Sequence, residues 1–222
     1  MARASLLAAL PDALANDLFD GARSVSLAAD QTLFLAGDAG DGCYRVEQGL
    51  LKVSMVSRAG NERILAILGP GAIVGELAII DGRPRSASVV ALKDAQLTFV
   101  SKATFDNFAE RHHEVWRYLV RLLSARIRDV DAAMAAVSFL PLKGRLATTM
   151  FELAEHFGHE VGSGRILIRQ KFGQADFAAM AGIARENVSR ILNDWKRRKL
   201  VSRISGYYCL EDMTKLKAEI DH

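Results

Sequence analysis

Between Trp116 and Val137 apolar side chains recur at Trp116, Val120, Leu123, Ile127, Val130, Met134 and Val137, with spacings that alternate between four and three residues. That period keeps a single stripe along one side of a long helix, and Arg121, Arg126, Arg128, Asp129 and Asp131 flank it. Such a stripe must be covered, either by a like helix from a second copy or by the core of its own subunit. Its length and its place between two regions of different patterning favour a dimerising connector helix, drawn over about residues 103–137.

Upstream, residues 24–100 alternate short apolar runs with Gly- and Asp-bearing turns, punctuated by Gly37, Gly49, Gly60, Gly69 and Gly71. Strands of about six residues at this spacing predict a compact all-β roll or barrel, and no strand–helix alternation supports a doubly wound sheet. Downstream, after Phe139-Leu140-Pro141, helical patterning covers residues 143–157 and a Gly-rich loop leads to a short strand, ILIRQ. Two further helices and a hairpin about Gly206 predict a winged helix-turn-helix. The expected fold class is α+β: a jelly-roll-like β-roll, a long dimerisation helix and a C-terminal winged helix-turn-helix, in two domains of residues 1–140 and 141–222.

Charge adds a direction to this plan. The chain carries a net +3, yet residues 165–203 hold ten basic and three acidic side chains, a local +7 that leaves −4 elsewhere. A basic face confined to one domain most often meets a phosphate backbone, and is otherwise a merely solvated surface. The apolar run of residues 5–10 is too short for a secretory signal and is cut by Pro11-Asp12, so an N-terminal amphipathic helix is expected. No stretch reaches the roughly 20 apolar residues of a membrane span, and a cytoplasmic location is expected. Cys43 and Cys209 are too far apart for a metal knuckle and read as free thiols.

An enzyme finds little to work with. The GDAGDG run at residues 37–42 lacks a following helix or a Lys-Ser/Thr pair and reads as a strand turn. His112 and His113 point in different directions on a helix. His156 and His159, beside Glu155 and Glu160, would make only a weak metal set, because Gly158 is expected to end the helix between them. No metal and no catalytic group is assigned.

Two segments carry recognisable chemistry. The first is Gly75-Glu76-Leu77-Ala78 followed by Arg85-Ser86-Ala87. A glycine before the first turn of a short helix exposes N–H groups to an anion. Arg85 adds a charge-assisted donor and Ser86 a hydroxyl, whereas Glu76 would repel phosphate and suits a sugar hydroxyl. The second segment spans residues 174–199. Phe177, Met180, Ile183, Val188, Ile191, Leu192 and Trp195 form an apolar face, Gly182 suits the turn, and Arg185, Glu186, Ser189 and Arg190 project together from the second helix. Arg pairs with guanine O6 and N7, and Glu accepts from the cytosine amino group. The basic run 196–199 fits helix capping and solvation better than phosphate contact.

Together these segments resemble the cyclic AMP receptor protein and Fnr superfamily of bacterial transcription regulators, and the resemblance covers nearly the whole chain. It implies a cyclic nucleotide held at its phosphate by Arg85 and Ser86 and at its ribose by Glu76, within Gly75, Leu77 and Ala78. The base position of the family falls on Val130 and Asp131, where a cyclic AMP receptor carries Thr and Ser; ionised Asp131 only accepts, so cyclic GMP competes with cyclic AMP as the ligand. The resemblance also implies a homodimer on double-stranded DNA, a palindromic operator with TGTGA-like half-sites, RNA polymerase as a partner, and no membrane or further cofactor. Ala184 and Gln174 depart from a capping Ser and a phosphate-facing Arg. The rival readings are a regulatory module without DNA and a family member sensing another ligand.

Overall fold

A computed structural model describes residues 11–220 and divides into two compact units, residues 11–57 with 64–128 and residues 58–63 with 129–220. The ten residues of the expected N-terminal amphipathic helix that precede Pro11 lie outside the described part. In chain order the first unit begins with α1 (Asp12–Phe19), β1 (Arg23–Leu27), β2 (Thr32–Phe34), β3 (Gly42–Val56), β4 (Glu62–Leu68, its first two residues grouped with the second unit) and β5 (Ile73–Val74). There follow α2 (Glu76–Asp81), β6 (Ser88–Ser101), α3 (Lys102–Arg111) and α4 (Glu114–Phe139), whose residues from Asp129 onward belong to the second unit.

The β-roll is organised by two long antiparallel strands, β3 and β6, in register from Gly42↔Ser101 through Val46↔Leu97 to Ser54↔Ser88. The register slips between Val46 and Leu51, around Gly49 at φ 90°, and a Cβ there would run into the Asp94 carbonyl and Ala95. An irregularity of this kind bends a strand pair that would otherwise stay flat. β1 and β2 add to β6, and β4 and β5 to β3. Alternation puts Val46, Leu51, Val89, Ala91 and Leu97 inside, where Leu122 of α4 joins them. A second cluster packs Leu18, Phe19, Cys43, Ile79, Phe105, Phe108, Val115 and Leu119.

The expected continuous helix over 103–137 is two helices. Ser101 Oγ caps α3 by accepting the Thr104 N–H, and α3 stops where His112 leaves helical geometry at φ −125°. The His112 ring stacks on Phe108 with centroids 4.3 Å apart and meets the Asp17 carboxylate at 3.3 Å. These contacts hold the side chain inward, and the chain restarts as α4 at Glu114.

The second unit continues with α5 (Leu142–Phe157), β7 (Gly158–Glu160), β8 (Ile166–Ile168), α6 (Gln174–Ala181), α7 (Arg185–Arg197), β9 (Val201–Ile204), β10 (Tyr207–Leu210) and α8 (Met213–Ala218). Its antiparallel sheet runs β7-β8-β10-β9, and the hairpin turns at Ser205-Gly206, both at positive φ. Edge-on ring contacts link Phe157, Phe172, Phe177 and Tyr208 beneath α6. Both cysteines are buried free thiols, and burial pushes Cys43 up to about 12 and Cys209 up to about 11.

The back of α7 is fixed by Trp195, which is fully buried and donates its Nε1–H to Glu219 Oε2 at 3.0 Å. Burial would raise the Glu219 carboxyl, but hydrogen bonds from Arg198, at 2.5 Å, and Trp195, with the Lys143 charge, hold it below the ordinary range. Because the folded value is the lower one, this contribution is present above the unfolded carboxyl's range near 4.3 and is lost as pH falls through the folded value. Replacing Glu219 by Ala should cost about 1–3 kcal/mol at neutral pH by stranding the indole N–H. Glu219→Gln, which keeps an acceptor, should cost less and flatten the acid limb in urea titrations; an unchanged acid limb would overturn this assignment. At the other end of α7 the N-cap Ala184 supplies no side-chain acceptor. Thermal melts of Ala184→Ser should show a gain of about 1 kcal/mol.

Candidate functional site

In the β-roll, Gly75 takes a left-handed conformation at φ 84° and starts α2, so Glu76 turns inward and is almost fully buried. Gly40 lies so close to Ala78 that neither position has room for more, which brings the 37–42 turn against α2. Arg85 is held between these segments. Its backbone N–H donates to the Asp38 carbonyl and its carbonyl accepts from Gly37 N–H, both at 2.8 Å. The guanidinium is buried, its Cζ over the Phe34 ring 4.3 Å from the centroid. Nη1 donates to the carbonyls of Gly42 at 2.7 Å and Gly75 at 2.8 Å, and Nη2 to Asp41 Oδ1 at 3.0 Å.

The Glu76 carboxylate accepts from Arg126 Nη1, a side chain of α4 that also donates to the Ile73 carbonyl at 3.1 Å. Burial pushes the Glu76 carboxyl upward, against the pull of Arg126, of its own backbone N–H and of Arg85. Two polar atoms of the pair of charges have no partner among the described residues, Glu76 Oε2 and Arg85 Nε, both buried. A buried donor and a buried acceptor without partners call for an explanation, and a polar ligand is one that would supply both. Ser86 is exposed next to Arg85, while Leu77 is half-buried and Ala78 buried on α2.

Sequence reading missed Asp41 and Arg126. Asp41 sat inside the GDAGDG run, read only as a turn, and Arg126 was seen only as a flank of the apolar stripe. The available signal is Glu76 itself, since an acid on the first turn of a helix that packs on a β-roll calls for a cation, and Arg126 is a basic residue of α4 one turn before Val130. Val130 and Asp131 are both exposed on α4 and fall in the second unit.

The stripe on α4 is open in the single chain. Val120, Ile127, Val130 and Met134 are 62–66 % exposed, Trp116 and Val137 about 41 %, and Trp116 rests edge-on against Phe105. Leu123 differs, being partly buried against the β-roll core.

In the second unit α6 begins at Gly173, whose N–H donates to the Asp176 carboxylate at 2.7 Å. It ends at Gly182, left-handed at φ 65°, with Gly182 N–H on the Ala178 carbonyl. Val188, Ile191, Leu192 and Trp195 bury one side of α7, which leaves Arg185, Glu186 and Arg190 exposed and Ser189 half-exposed on the other. Arg190 is oriented by donating to Asn187 Oδ1 at 2.8 Å. Of the basic run, Arg197 and Arg198 reach back to Asp194 at 3.4 and 3.3 Å and Arg198 also to Glu219, and all four residues, Lys196 and Lys199 with them, are exposed. Exposed cations therefore lie at both ends of α7, Arg185 and Arg190 in its first two turns and Lys196, Arg197 and Lys199 at its far end. Among the described residues no cluster of three His, Cys, Asp or Glu could hold a metal ion, and no helix is long and apolar enough to cross a membrane.

Comparison with known proteins places both halves. Residues 24–112 match the Cyclic nucleotide-binding domain family and residues 144–219 the Crp-like helix-turn-helix domain family. The chain is 32 % identical to the Cyclic AMP receptor protein of Thermus thermophilus, over 72 % of this chain and 71 % of that one. It is 27 % identical to a CRP-like cAMP-activated global transcriptional regulator of Mycobacterium tuberculosis, over 93 % and 91 %. A solved CRP/FNR-family transcriptional regulator of Thermus thermophilus superposes with a TM-score of 0.73 at 25 % identity, covering 90 % of this chain and 99 % of the other. The chain therefore belongs to the cyclic AMP receptor protein and Fnr superfamily, as a transcription regulator with a cyclic-nucleotide-binding domain and a Crp-like helix-turn-helix.

Proposed function

We propose that this regulator is a homodimer that binds a purine cyclic nucleotide, cyclic AMP or cyclic GMP, and then a palindromic operator with TGTGA-like half-sites, acting on RNA polymerase at the promoter. The observation that carries the ligand reading is the pair of buried open atoms, Arg85 Nε and Glu76 Oε2, beside Gly75. The first suits a phosphate oxygen, with Ser86 adding a hydroxyl donor, and the second a ribose hydroxyl. Asp131 suits the ring N–H and amino group of guanine, or the adenine amino group. The relatives named as cyclic AMP receptors favour the same ligand class.

An apolar stripe open to water over five turns of α4 supports a second copy as its cover. The Glu76–Arg126 pair offers a route for coupling, since it ties the ligand-facing acid to the helix that carries the stripe. A ribose hydroxyl on Glu76 alters the setting of Arg126, and a ligand with different affinity for two settings of α4 shifts the population between them. On the DNA side, Arg185 and Arg190 suit guanines, Glu186 a cytosine and Ser189 either a base or a phosphate.

Two measurements test this. Titration calorimetry should detect one or both cyclic nucleotides, and Arg85→Lys, which keeps the charge and loses the fork, should weaken binding by about 1.5–3 kcal/mol; binding of neither nucleotide would sink the ligand reading. Selection from random DNA should return two-fold symmetric sites with half-sites about 10 bp apart, one helical turn. In the same selection Arg190→Ala should relax preference at a single position of each half-site and cost about 1–3 kcal/mol on the best site. Asymmetric winners would count against the dimeric operator.

A further inference from the structure

Resting on the cyclic-nucleotide reading of the β-roll, we infer that Asp41 is a built-in competitor for the ligand's phosphate, occupying Arg85 in the free protein and setting how much nucleotide is needed to displace it. The geometry behind this is the division of labour on one guanidinium. Both Nη1 hydrogens are committed to backbone carbonyls, those of Gly42 and Gly75, which belong to the frame of the domain. The donors that remain are Nε and Nη2, neighbours on the side edge of the fork that grips carboxylates and phosphates. Nε is buried and open, and Nη2 is engaged by Asp41.

Asp41 and Arg85 are unlike partners. The Arg85 side chain is 2 % exposed, whereas that of Asp41 is 69 % exposed. An exposed carboxylate can swing into water at little cost, while the cation it leaves behind cannot. The frame contacts stay, so an arriving phosphate oxygen needs to replace only Asp41 on Nη2 and to fill Nε. Asp41 thus keeps a buried cation neutralised until an anion of the right shape arrives, and it opposes binding by the strength of its own contact.

The test uses the full chain and calorimetric titration with cyclic AMP and with cyclic GMP, on the wild type, Asp41→Asn and Asp81→Asn. Asp81 lies at the end of α2, where its carboxylate caps the Arg83 N–H and makes the same charge change without touching Arg85. If Asp41 competes, Asp41→Asn binds about two- to fivefold more tightly than wild type, the range of an ion pair whose carboxylate is solvent-screened, and Asp81→Asn gains less. Weaker or unchanged binding by Asp41→Asn, with the wild type binding normally, makes Asp41 a positioning residue and overturns the inference. An equal gain in both variants assigns the effect to general charge and overturns it too. Should none of the three folded proteins bind either nucleotide, the ligand reading itself fails and takes the competitor with it.

Discussion

A guanidinium withdrawn from water has to find acceptors for its N–H groups, because a buried charge left unpaired costs the fold several kcal/mol. Arg85 meets that demand with three oxygens drawn from separate stretches of chain, Asp41, Gly42 and Gly75, and with the face of Phe34. The local structure follows from serving it. β3 has to start at Gly42, where a side chain would collide with the Val100 carbonyl and the Phe99 ring. Gly75 has to be left-handed and bare, since a Cβ there would strike Arg85 itself. The frame of the β-roll and the ligand site proposed above are therefore built around the same cation.

How far this was readable from residues depended on distance along the chain. Glu76, Arg85 and Ser86 announce themselves within eleven positions, and the β-roll, the α6–α7 pair and the Gly206 hairpin all follow from local periodicity and turn residues. Asp41 and Arg126 are 44 and 50 residues from the groups they meet, and no local pattern marks them. The break at His112 was hidden for a related reason. Residues 103–111 and 114–137 are each good helix, and what separates them is an imidazole caught by Phe108 and Asp17.

The helix-turn-helix shows how a reading surface is made stiff. Trp195 contributes a large apolar body and, through Glu219, a single hydrogen bond that fixes its orientation. Lys143 of α5 and Arg198 at the end of α7 meet on the same carboxylate, so α5, α7 and the segment after α8 share one acid. Part of the basic run that composition alone would assign to DNA is spent on this internal joint. The start of α7, proposed above to face the bases, lies apart from this joint, and there Arg190 is steadied by Asn187.

The two thiols carry a last consequence. Thiolate, and not thiol, reacts with peroxides and disulfides, and reactive cysteines are exposed and of lowered pKa. Cys43, on β3 and packed against Val115 and Leu119 of α4, stays protonated up to about 12, and Cys209, on an inner strand of the second sheet, up to about 11. Neither is reachable from solvent. In this respect both thiols differ from an exposed sensor cysteine: burial holds each in its protonated form, away from the thiolate chemistry on which such sensors depend.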